Sequence, residues 1–245
     1  NNDSNAPITG SDYIISYSNN TNAGTAVVTI TGISNYTGTK VINFTINRIN
    51  LTITADDKTK VYGTSDPALT YTASGFVGTD GNNPSITLER ETGENVGTYD
   101  ITVSYSNDNY IISLVPGTFE ITKATHNMND ITFSGKTTEY NGEVHSLAIS
   151  GVLPSGVTVT YENNDHINAG SYTVTAKFIY DTDNYNTIAN MTATLVITAR
   201  NITLTANNSS AIYGKEYNAN GYTVSVGEIL ANELDSWNIK AVVDT

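Results

Sequence analysis

Three short patterns return along this chain at a spacing of about 75 residues, and a period of that length commits the polypeptide to a string of similar small modules. The first pattern is Asn22-Ala23-Gly24-Thr25, then Asn95-Val96-Gly97-Thr98, then Asn168-Ala169-Gly170-Ser171. The second is an Asn-Tyr pair at Asn35-Tyr36, Asn109-Tyr110 and Asn184-Tyr185. The third is a closing apolar stretch, Phe44-Thr45-Ile46, Phe119-Glu120-Ile121 and Leu195-Val196-Ile197. The opening halves match as well. Leu51-Thr52-Ile53-Thr54-Ala55, with Tyr62-Gly63 after it, is echoed by Ile202-Thr203-Leu204-Thr205-Ala206 with Tyr213-Gly214. The middle copy carries Ile131-Thr132-Phe133 and then Tyr140-Asn141-Gly142. Each opening half ends at a glycine: Gly75, Gly151 and Gly227.

These anchors delimit two complete modules, residues 50–123 and 124–199. Residues 1–49 read as the later part of a preceding module, and residues 200–245 as the opening of a following one, as expected of a piece from a longer array. The junctions Ile46-Asn47-Arg48-Ile49-Asn50-Leu51 and Ile197-Thr198-Ala199-Arg200-Asn201-Ile202 hold no Gly/Ser or Pro tract and run almost strand into strand. Links so short restrict hinging and predict a semi-rigid, elongated rod whose first partners are the neighbouring repeats of the same chain. A half sandwich leaves an apolar face and a row of backbone groups to be matched. Simple truncation, with each end packing imperfectly on its neighbour, is the preferred expectation, and self-association, in which the opening half of one chain completes the closing half of another to give a filament, is its rival.

Within a module the side chains alternate. In Thr98 to Tyr105 one face is Tyr99, Ile101, Val103 and Tyr105, and the other is Thr98, Asp100, Thr102 and Ser104. The matching stretch turns Tyr172, Val174, Ala176 and Phe178 inward. About seven such short strands fit into 50–123, divided by turns such as Asp66-Pro67 and Asp80-Gly81. Thr- and Tyr-rich strands with Asn- and Gly-rich turns predict an all-β chain of tandem immunoglobulin-like antiparallel β-sandwiches. A Tyr two residues after the turn glycine suits the corner at which a hydroxyl bonds back to upstream backbone. Tyr99 and Tyr172 occupy that place, whereas the first copy has Ala26. Leu230 to Trp237 is the one helical candidate, with Leu230, Leu234 and Trp237 on one face.

Charge and composition narrow the functional classes. A net charge of −13 with only 11 Lys and Arg repels phosphate, which argues against nucleic acid and against an anionic membrane surface. The chain has no Cys, which removes disulfides, thiolate metal sites and a thiol nucleophile. No apolar run approaches the length of a membrane span.

No set of residues assembles a catalytic or cofactor-binding motif. His126, His145 and His166 all lie in one module, in polar turn-like or strand-edge settings, with no ligand or triad spacing among them. The acidic and amide-rich turns Asp181-Thr182-Asp183-Asn184 and Asn163-Asn164-Asp165 gather hard oxygens of the kind calcium takes, yet neither has the spacing of a closed calcium loop. Solvated turns that cap strands are the simpler account, and the expectation is no cofactor. Tyr36, Tyr110 and Tyr185 could stack on sugars, but their recurrence at one repeat position points to packing. Lys60 and Lys123 are the lysines considered for a stiffening Lys–Asn crosslink, and no crosslink motif surrounds them.

The stretch Val61-Tyr62-Gly63-Thr64-Ser65-Asp66-Pro67-Ala68-Leu69-Thr70-Tyr71-Thr72-Ala73-Ser74-Gly75 resembles the bacterial MBG domain of the YGX type. Asp12 to Thr25 is similar to repeats of large surface proteins of Gram-positive bacteria. The middle module keeps Tyr140-Asn141-Gly142 without the Asp-Pro, and the last has Tyr213-Gly214-Lys215 without a Pro. The resemblance implies non-enzymatic, immunoglobulin-like stalk modules of adhesins on the bacterial cell surface or cell wall, projecting a distal domain. The rival expectation is a module that binds host glycan or protein through its own loops.

Overall fold

Alternation becomes strand throughout. Sixteen strands and no helix form among the residues that the computed structural model describes, which are 12–206, 212–214, 222–224 and 230. The helical candidate from Leu230 to Trp237 lies, Leu230 apart, outside the described residues. The chain falls into two compact units that part after Ala124.

The first unit opens with β1 (Tyr13–Ser18), β2 (Gly24–Gly32) and β3 (Thr39–Ile46), an antiparallel sheet in that order. Seven strands follow: β4 (Ile49–Ala55), β5 (Lys58–Val61), β6 (Tyr71–Ser74), β7 (Thr87–Arg90), β8 (Gly97–Ser104), β9 (Tyr110–Val115) and β10 (Gly117–Thr122). They build two sheets, β5-β10-β8-β7 and β6-β4-β9. The inward face read from β8 is the core: Ile101 is fully buried, with Ala55, Phe119 and Ile121 beside it and Tyr99 and Val103 packed against them. Leu51, Ile53 and Tyr110 form the core of the other sheet, and Val103 touches both clusters. Burying a side chain such as Ile101 or Phe119 stabilises the sandwich by about 1.5–3 kcal/mol relative to leaving it exposed.

The opening and closing strands each change sheet at the same level. The opening strand passes from β4 to β5 through Asp56-Asp57, and the closing strand passes from β9 to β10 through Pro116. Gly117 lies so close to this crossing that a Cβ there would sit 2.7 Å from the Ala55 carbonyl oxygen. Asp57 fastens the crossing by accepting the Thr118 N–H at 2.7 Å and its hydroxyl at 2.9 Å. These bonds, the backbone one foremost, hold its carboxyl below the usual range. As a result β4 runs parallel to β9, and β5 runs parallel to β10. The other pairs, β4–β6, β7–β8 and β8–β10, are antiparallel.

The first sheet repeats, on one side, the register of the module of residues 50–123. Ala26 lies opposite Phe44 as Tyr99 lies opposite Phe119. Phe119 is 0% exposed, but Phe44 is 38% exposed, because no second sheet covers β1-β2-β3 among the described residues.

The second unit contains β11 (Lys136–Glu139), β12 (Thr158–Glu162), β13 (Gly170–Ile179) and β14 (Met191–Thr198), ordered β11-β14-β13-β12. The opening strand β11 is again parallel to the closing strand β14, and the remaining pairs are antiparallel. Val174, Leu195 and Ile197 with Leu147 form one core cluster, and Ile131, Val157 and Phe178 form another. The second layer is thin: Ile131-Thr132-Phe133, the counterpart of β4, contributes the isolated bridge Thr132–Ser150. Last come β15 (Leu204–Ala206) and β16 (Tyr222–Val224), an antiparallel pair.

Candidate functional site

The densest cluster of charge lies around Lys60. This residue sits on the edge strand β5, and its inward orientation buries the side chain to 3% exposure. The ammonium donates to Asp66 Oδ1 at 2.6 Å and to Glu94 Oε2 at 2.5 Å. Arg90, at the end of β7, closes the ring: its Nε donates to Asp66 Oδ2 and its Nη2 to Glu94 Oε1, both at 2.7 Å. The Nη1 group donates to the carbonyl oxygens of Glu91 and Gly93, so the guanidinium also shapes the loop that leads into β8. Its Cζ lies 4.7 Å from the Phe119 ring centroid and 5.6 Å from that of Tyr99. The bond to Asp66, with help from Glu94, holds Lys60 above the ordinary lysine value. The Lys60 ammonium in turn holds Asp66 and Glu94 below the usual carboxylate range.

This ring decides the chemistry of Lys60. Amide condensation needs a neutral amine and a neutral carboxyl, whereas every group here is held in its charged form. Lys60 is an ion-pair hub, partnered by carboxylates and not by an asparagine amide. Lys123 stands exposed immediately after β10. Sequence reasoning singled out Lys60 and read Asp66 as a turn residue, but named neither Arg90 nor Glu94. A usable signal was present, since cations are scarce and Arg90 and Glu94 are one i,i+4 step apart.

The two predicted tyrosine corners form. Tyr99 donates its hydroxyl to the Asn95 carbonyl at 2.8 Å, and Tyr172 donates to the Asn168 carbonyl at 2.9 Å. Arg90 covers the first ring, and in the second module His166 stacks on Tyr172 at 3.6 Å with the planes 6° apart. The histidines do not converge on a common centre. His126 stacks on Tyr185 at 3.9 Å. His145 and His166 face each other across a two-residue antiparallel bridge, and each ring nitrogen Nε2 meets an oxygen, of the Asn141 side chain and the Asn163 backbone respectively. A carbonyl oxygen only accepts, so Nε2 of His166 carries the proton.

The hard oxygens of the acidic turns are engaged by the turns themselves. Asp181 Oδ1 accepts the N–H groups of Asp183 and Asn184, and its Oδ2 accepts the Asn184 side-chain amide. The Asn164 side chain accepts from the Leu147 N–H at 2.8 Å and donates to its carbonyl at 2.9 Å, imitating a strand neighbour. Asn163 donates to the Thr173 carbonyl. No group of three or more His, Asp or Glu placed to hold a metal occurs among the described residues. Of the recurrent tyrosines, Tyr110 is buried and donates to Asp80 Oδ2 at 2.7 Å, while Tyr36 is 49% exposed.

The arrangement thus ties loops to a core and to one another. Residues 51–120, which run from inside β4 to inside β10, match the family model of the MBG domain (YGX type). No curated protein matches the chain. Among solved structures the chain is similar to the protocadherin gamma B7 extracellular cadherin domains 1–4, with 9% identity and a TM-score of 0.28 over 78% of this chain and 62% of that one. The chain therefore spans less than two thirds of that structure's length. The stretch that matches the MBG model takes in the YGX turn at Tyr62-Gly63-Thr64 and the ionic ring of Lys60, Asp66, Arg90 and Glu94.

Proposed function

We propose that this chain is a stretch of a tension-resisting stalk on the outside of a bacterial cell, built to hold a distal domain away from the wall. The observation that carries this reading is the parallel pairing of opening with closing strands in both units. In residues 49–122, force applied through the chain enters at the start of β4 and leaves at the end of β10. Parallel strands pulled from those opposite ends slide along each other. Their hydrogen bonds are loaded together in shear, whereas a hairpin pulled from one end opens bond by bond. Forced unfolding is governed by the barrier to that first rupture. The ring of Lys60, Asp66, Arg90 and Glu94 adds side-chain ties beside the β5–β10 pair.

Single-molecule stretching tests this. Pulled end to end, residues 49–122 should yield in one event that releases roughly 250 Å of contour, at up to about 3.6 Å per residue. Pulled instead through cysteines placed at the open end of the β7–β8 hairpin, the same segment should yield at several-fold lower force. Equal forces in the two geometries would sink the stalk reading.

One observation favours the rival. Tyr13, Tyr36, Asp12 and Lys40 line an open cleft of about 380 Å³ on the first sheet, a combination of ring faces and polar groups that suits a glycan. Binding on a glycan array that is abolished by Tyr36→Ala would favour this second reading.

A further inference from the structure

A heavily engaged side chain outside the ionic ring is Asn109, just before β9 in the module of residues 50–123. Its Oδ1 accepts the Ala23 backbone N–H at 2.8 Å, and its Nδ2 donates to Asn22 Oδ1 at 3.2 Å. Its own N–H donates to Asn107 Oδ1 at 2.9 Å, and its carbonyl accepts the Ile49 N–H at 3.2 Å. All four polar groups of one residue are therefore used. They join three parts of the chain: the Asn22-Ala23-Gly24 turn of the first sheet, the 105–109 loop, and the linker that leads into β4. The two contacts to the turn span 86 and 87 residues of sequence.

We infer that the Asn22-Ala23-Gly24 turn is the docking surface by which the first sheet receives the module of residues 50–123, and that its ligand is Asn109 of that module's Asn-Tyr pair. The partner is thus another repeat of the same kind. The inference rests on reading the chain as a stalk of tandem modules, and it supplies what holds the first sheet on the module that follows it. Three features suit the turn to this task. Its backbone N–H at Ala23 points outward to an acceptor. The glycine that follows has φ +135°, a conformation that strands of other residues rarely enter. In the later copies a tyrosine corner braces the same turn through the carbonyl of its asparagine. In the sequence the turn recurs as Asn95-Val96-Gly97 and Asn168-Ala169-Gly170 and the Asn-Tyr pair as Asn35 and Asn184, the Asn184 amide donating to Asp181 within its own loop. The side-chain amide is the group required here, because it can accept from the turn backbone and donate to the turn side chain at once.

The test uses the whole chain with Asn109→Ala and Asn109→Asp. Amide hydrogen exchange at Ala23 should be roughly tenfold faster or more in the alanine variant, since its acceptor is gone, and near the parent rate in the aspartate variant at pH 7, which keeps an acceptor oxygen. The chain has no native Cys, so Thr31→Cys with Ser104→Cys gives two spin labels, one on β2 and one on β8. The distance distribution between them should be narrow in the parent and broad with Asn109→Ala. Unchanged exchange at Ala23 in the alanine variant, or an unchanged distribution, would overturn the docking role. The end-to-end unfolding force of residues 49–122 is set inside the module and should not move with Asn109→Ala. A low force in the parent therefore counts against the stalk, and a silent Asn109→Ala counts against the docking.

Discussion

Tyr99 and Tyr172 occupy one repeat position and make one bond, yet different groups cover them. The hydroxyl of each closes on a carbonyl four residues upstream, at 2.8 and 2.9 Å. Arg90 lies over the first ring and His166 over the second. Tyr99→Phe and Tyr172→Phe keep the packing and remove the bond, so each should destabilise its own module by about 1 kcal/mol and leave the other unmoved. Chemical denaturation followed by hydrogen exchange reads both; unaltered stability in both variants would show that the hydroxyls contribute nothing. These tyrosines were legible because a recurring position two residues after a glycine is a local pattern. The cover was not. Arg90 reaches Tyr99 through a β7–β8 pairing, and no local pattern in the sequence states which strands will pair.

At the scale of strands, the ionic ring is a fastening of β5, which among the described residues is an edge strand paired with β10. Lys60 stands 34 residues from Glu94 and six from Asp66. Asp66 and Glu94 titrate below their unfolded values, so their stabilisation is complete above about pH 4.3 and is lost as pH falls through the depressed folded values. Lys60 titrates above its unfolded value, so its share is complete below about pH 10.4 and is lost as pH rises through the raised folded value. Lys60→Met should lower the melting temperature of the first unit by several degrees at pH 7 and flatten its decline below pH 4. Melting curves that run parallel in pH for parent and variant would show that the ring does not respond to acid. The strands themselves were legible from alternation: seven in residues 50–123, with Ile101 and Val174 inward as read. So were the positions of the spaced glycines Gly75 and Gly151, whose steric reason the structure supplies. A Cβ at Gly75 or Gly151 would come within 2.3 Å of the carbonyl oxygen of Asn50 or Asp130, and both positions have positive φ. The pairing direction was not legible. The sandwich is mostly antiparallel, but its opening and closing strands are parallel, because each chain segment changes sheet in midcourse and alternation within a segment is the same either way.

Along the whole chain the two complete repeats share a plan and differ in how much parallel ladder they carry. Residues 49–122 have six registered pairs between β4 and β9 and four between β5 and β10. The second unit has four between β11 and β14, and the counterpart of β4 there makes the isolated bridge Thr132–Ser150. Its position corresponding to Lys60 is Thr138, by the shared register against Ile121 and Ile197, so the neutral side chain cannot build the same ring. Asn164 and the His145–His166 bridge hold that region with uncharged hydrogen bonds. Thermal stability need not follow this ranking, since it sums burial over the whole core. Rupture under tension does follow it, because the ladder between the opening and closing strands carries the load. Stretched from its ends, the chain should therefore give two unfolding events in a fixed order, the second unit first and residues 49–122 last. Lys60→Met should lower the later event alone, and Tyr172→Phe the earlier event alone, which assigns each peak without reference to its height. If the Lys60 variant instead moves the weaker event, the longer parallel ladder is not what resists the pull, and the source of strength lies in the packed cores.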